Sequence, residues 1–78
     1  MDRFKYVVVG NIYMVLFPVL LNHKDMKVLG NITSAGSVIR SNSTKSGFAV
    51  CGRSETLNLG PAEHDQLLLD LLLRQQRN

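Results

Sequence analysis

The polar and apolar positions divide the chain into two apolar runs at the start, a mixed middle and a leucine-dense end. Phe4 to Val9 and Ile12 to Phe17 are rich in β-branched and aromatic residues, and Gly10-Asn11 stands between them. Two such runs around Gly-Asn predict a β-hairpin, because glycine supplies the positive φ that a two-residue turn needs. That turn sets the pairing. Val9 then faces Ile12, Val7 faces Met14 and Lys5 faces Leu16, while Val8 faces Tyr13, Tyr6 faces Val15 and Phe4 faces Phe17. Both faces of the ribbon are apolar, whereas a half-exposed antiparallel sheet alternates apolar with polar. Either a helix covers one face and another subunit the other, which is the expected arrangement, or the hairpin is sandwiched inside a single fold too small to manage it.

Pro18 ends the second strand, since it has no N–H to give to a ladder. Asn22 is placed to cap a short helix over His23 to Leu29, and Gly30 to stop it. Ile32 to Arg40 reads as a third strand with an unusually small middle, Ser34-Ala35-Gly36-Ser37. Ser41 to Ser46 is a polar loop and Gly47 to Gly52 a fourth strand, which makes a second hairpin.

The end of the chain has the plainest pattern. Pro61 suits the first position of a helix and Glu63 its first turn, where a negative charge favours the exposed N–H groups. Leu67, Leu68, Leu69, Leu71, Leu72 and Leu73 surround Asp70 and, at 100° per residue, cover about 240° of the helix. Glu63, Gln66, Asp70, Arg74 and Arg77 share the remaining stripe. A surface helix needs only ~100° of apolar arc to face its own core. Each leucine left in water forgoes ~1.5–3 kcal/mol, so the excess predicts a contact outside the subunit. The elements follow the order ββαββα, an α+β fold over residues 1–78 with one four-stranded antiparallel sheet and the leucine helix packed on it.

Composition narrows this picture. With 78 residues there is room for one core and no second domain. Cys51 is the only cysteine, which excludes an internal disulfide and suits a reducing cytoplasm. Cys51, His23 and His64 lack the short paired spacings of a zinc site, so no metal and no cofactor is expected. The apolar stretch Ile12 to Leu21 is shorter than the ~20 residues a membrane helix needs, so no membrane span is expected. The net charge of +3 comes from scattered lysines and arginines. A nucleic-acid binder gathers them on one face, so binding of a nucleic acid or other polyanion through Arg40, Lys45 and Arg53 ranks second.

Candidate chemistry is sparse. His23 with Asp25, and His64 with Asp65, are too close in sequence to face each other on a helix. Cys51 with His23 or His64 is the only enzyme reading the residue types allow, and it ranks third; no catalytic residues are assigned. Ser34, Gly36 and Ser37 are small enough for a ligand or a second backbone to approach, with close strand packing as the plainer alternative. Arg53 and Ser54 precede the last helix, where an anion could bind, against the plainer reading of a loop closed on itself.

Three segments together resemble a known pattern: Phe17-Pro18 with His23, then Ser34-Ala35-Gly36-Ser37-Val38, then Gly52-Arg53-Ser54-Glu55-Thr56-Leu57. They resemble a family of small uncharacterised proteins of bacteria and their phages. That family's pattern is a strand ending in Phe-Pro, a His, a Ser-Ala-Gly block, a Gly-x-Ser-x-x-Leu segment and an acidic last helix. The resemblance runs from Phe17 to about Leu69, and departs where Ser37 stands in place of an aromatic. It implies no activity, but it implies a phage or prophage origin, where small proteins bind and block host machinery. The leading expectation is an interaction protein acting as a homodimer. Its interface would be Leu67, Leu68, Leu69, Leu71, Leu72 and Leu73 with Val7, Val9, Ile12 and Met14 of the first hairpin, and Asp70 with Arg74 at the rim.

Overall fold

The computed structural model describes residues 3–76, so Arg77 of the helical stripe lies outside the described residues. Four strands, β1 (Arg3–Val9), β2 (Tyr13–Phe17), β3 (Ile32–Arg40) and β4 (Phe48–Cys51), form one antiparallel sheet in the order β2-β1-β3-β4. A 3₁₀ segment, His23–Leu29, joins β2 to β3, and helix α1 (Asp65–Gln76) follows β4. The fold class and element order are those the sequence predicts. The 3₁₀ segment has the expected bounds, with Asp25 accepting the backbone N–H of Asn22 at 3.0 Å.

The first hairpin differs in register. Gly10 and Asn11 both take positive φ (60° and 65°), and the Ile12 N–H donates to the Val9 carbonyl at 3.2 Å, so the tight turn forms. Ile12 then stands as an extra residue, and Val9 pairs with Tyr13 instead. A shift of one residue turns every side chain of a strand to the other face. Met14 and Leu16 therefore join Tyr6 and Val8 under α1, while Val15 and Phe17 join Val7 and Val9 on the opposite face.

Each face has its own cover within the chain. Tyr6, Val8 and Val38 pack against Leu69 of α1, with Phe48 and Val50 of β4 at the margin. Val7, Phe17 and Ala35 are covered by Met26 of the 3₁₀ segment and by Leu57 and Leu59 of the loop after β4. Tyr6, Val7 and Val8 are all fully buried, as befits a central strand enclosed on both sides. The second subunit expected over the hairpin is thus replaced by the chain's own connections.

Within the small block of β3, Gly36 has no room for a side chain. A Cβ on Gly36 would lie 2.7 Å from the Cys51 carbonyl oxygen and 3.0 Å from Cε1 of its cross-strand partner Tyr6. The helix starts later than Pro61. The Asp65 carboxylate accepts the Ala62 N–H at 2.8 Å and the Asp65 N–H donates to the Ala62 carbonyl at 3.1 Å, so residues 62–64 form a turn ahead of the first helical residue. Pro61 lies outside α1, its Cγ 3.4 Å from where a Cβ on Gly36 would be.

Candidate functional site

The polar residues singled out in the sequence mostly act as ties inside the fold. Asp65 is fully buried, and its carboxylate accepts three hydrogen bonds: from the Tyr6 hydroxyl at 2.7 Å, the Ser34 hydroxyl at 3.0 Å and the Ala62 N–H at 2.8 Å. A buried charge is costly unless its lone pairs are filled in this way. Burial and the hydrogen bond to Asp65 push the Tyr6 phenol far above the usual tyrosine range, so it stays protonated. With Tyr6, Ser34 and Asp65 all sealed from solvent, the cluster joins β1, β3 and the start of α1 and presents nothing to a reactant. Ser34 was legible as a candidate, but Tyr6 and Asp65 are 59 positions apart and no local spacing announces them.

Both histidines are tied to backbone carbonyls. His23 is buried, stands edge-on to Phe17 at 5.4 Å, and its Nε2 lies 2.8 Å from the Gly36 carbonyl. A carbonyl only accepts, so Nε2 carries the proton. The exposed His64 does the same for the Asn11 carbonyl at 3.1 Å, fastening the hairpin turn to the approach to α1. Cys51 ends β4, half-buried, opposite Ser37.

The Arg53–Ser54 segment closes on itself. Ser54 is buried and bridges to Leu59, its hydroxyl accepts the Leu57 N–H at 3.2 Å, and Arg53 donates to Asn58 Oδ1 at 2.7 Å. These are the internal hydrogen bonds of the plainer reading, a loop closed on itself. Of the polyanion set, Arg40 stacks over Phe48 at 5.5 Å at one end of β4, and Arg53 follows its other end. Lys45 of the same set lines the groove beside α1.

An open groove runs between α1 and the β3–β4 loop, with a volume of about 860 Å³. Its floor is polar. Gln66 sets its side-chain amide along the edge of β4, accepting the Val50 N–H at 3.0 Å and donating to the Phe48 carbonyl at 2.9 Å. Asp70 accepts from Ser46 at 2.6 Å and from Gln66 at 3.0 Å. Gln66 of the polar stripe thus faces a strand edge and Asp70 is engaged inside the subunit, while Glu63 and Arg74 of the same stripe are exposed.

The leucines divide accordingly. Leu69 is fully buried, Leu68 and Leu73 pack on the core cluster, and Leu72 is half-buried. Leu67 and Leu71 are 60% and 45% exposed and line the groove beside Lys45, Glu63 and Arg74. Of the hairpin residues expected at an interface, Val7 is fully buried, Val9 and Met14 are half-buried against the two core clusters, and Ile12 alone projects. The outward surface is narrower than the sequence implies. Comparison with protein-family models, curated proteins and solved structures yields no match to this chain.

Proposed function

We propose that this chain is a small protein–protein interaction module that acts as a homodimer through the outer face of α1. One observation carries the reading: Leu67 and Leu71, one turn apart, stay 60% and 45% exposed on a helix whose Leu69 is fully buried. Residues four apart on a helix share a face, so the two form one apolar patch, flanked by charge along the groove. Full burial of a leucine is worth ~1.5–3 kcal/mol, so four half-exposed leucines in a symmetric pair supply roughly 3–6 kcal/mol. Area alone does not set affinity, and so small a patch implies a weak dimer, dissociating between roughly 10 µM and 1 mM. The resemblance to phage and bacterial proteins adds a foreign protein as the alternative occupant of the same face.

Light scattering across dilution, on the wild type and on Leu71→Glu, tests the reading. The expected result is a mass that rises towards the dimer with concentration, and a variant that stays monomeric with an unchanged circular dichroism spectrum. A wild type that remains monomeric at 1 mM would exclude self-association.

A further inference from the structure

We infer that the second copy docks with its α1 antiparallel to the first, about a two-fold axis passing between Leu67 and Leu71. This rests on the homodimer reading and deepens it. Glu63 in the turn ahead of α1, and Leu67, Leu71 and Arg74 on the helix, all line the groove, so along the chain the order is acid, apolar, apolar, base. The midpoint of the two leucines falls at position 69, and that of the two charges between 68 and 69.

A two-fold axis there sets Leu67 against Leu71 of the second copy, and in the same step sets Glu63 beside Arg74 of the second copy, twice over. Isologous contacts require this kind of self-complementarity. A parallel arrangement would instead oppose Glu63 to Glu63 and Arg74 to Arg74. Glu63 and Arg74 are exposed in the single chain, whereas Asp70, the acidic residue between them, is already occupied by Ser46 and Gln66.

Charge reversal reads this geometry directly. Sedimentation equilibrium at low salt would compare the wild type, Glu63→Arg, Arg74→Glu, the two single variants mixed, and a chain carrying both changes. Each single reversal turns two attractive pairs into two repulsive ones and should raise the Kd for self-association about 5- to 30-fold, less at high salt. The mixture and the double variant both restore opposite charges across the axis, and each should return to within about threefold of wild type. Because both positions are exposed, circular dichroism should show all chains folded, and the rescue controls for any loss of helix stability. A wild-type dimer split by Leu71→Glu but indifferent to both reversals would overturn the antiparallel geometry and leave the homodimer standing. Weakening by the single changes without rescue would overturn it equally. A wild-type monomer would remove both.

Discussion

The phenol of Tyr6 gives its hydrogen bond to a carboxylate that is itself closed off from water, and the two groups come from opposite ends of the chain. Replacing Tyr6 with Phe would leave Asp65 with Ser34 and Ala62 as donors, at a cost of about 1–3 kcal/mol at neutral pH. The folded state raises the affinity of the phenol for its proton, so this contribution is fully present below the tyrosine pKa of the unfolded chain, about 10. Above that pH the unfolded chain loses the proton while the folded chain keeps it, and the contribution falls by up to about 1.4 kcal/mol per pH unit. Urea unfolding of wild type and Tyr6→Phe between pH 7 and 11 should show a gap that narrows above pH 10; a constant gap would contradict the buried-phenol account. Sequence alone offered one of the three side chains of this cluster. Ser34 stood out for its size, but a tyrosine in a strand and an aspartate near a helix start carry no mark of their partnership. His23, likewise, was visible as a residue near a helix start, and only the fold shows it turned inwards onto Phe17 and Gly36.

Element boundaries were largely readable because their causes are local: a Gly-Asn turn, a proline after β2, an asparagine and a glycine around the 3₁₀ segment. The β2 register was not. Whether a hairpin turn is followed by an extra residue depends on which packing wins, and here Met14 and Leu16 are claimed by the core under α1. The polar side of α1 misled for the same reason, since a stripe of Gln and Asp looks like a water-facing surface until a strand edge lies beside it. Gln66 meets that edge as a neighbouring strand would, with one acceptor and one donor. Gln66→Ala should destabilise the protein by about 1–2 kcal/mol and leave the Val50 amide without its acceptor. Hydrogen exchange would report the loss as a larger acceleration at Val50 than at the central-strand amides of Val7 and Val8, which speed up only as far as global stability falls. Equal effects on all three would mean that Gln66 acts on the whole fold and not on the edge.

The whole molecule has a radius of gyration of 11.5 Å, which matches the ~11.5 Å expected of one compact domain of this length. The chain covers both faces of its sheet with its own elements, so the apolar excess of α1 shrinks to Leu67 and Leu71, beside exposed Ile12, Tyr13, Leu20, Leu21, Val28 and Leu29 elsewhere. Counting leucines around a helical wheel could not foresee this, because it assumes a neighbour on one side of the helix only. A weak dimer stabilises the folded state by mass action, so Tm should climb about 4–8 °C between 10 µM and 1 mM protein, and Leu71→Glu should abolish the climb. A Tm independent of concentration in the wild type would contradict the pairing. Gln66 has a consequence at this scale too. Growth by strand addition is a polymerisation, and it needs two reactive ends on every monomer. The Gln66 amide blocks the β4 end and leaves β2 as the other end strand. Two copies that joined through β2 would make an eight-stranded sheet with a Gln66 at each margin, and the chain reaction would terminate at its first step.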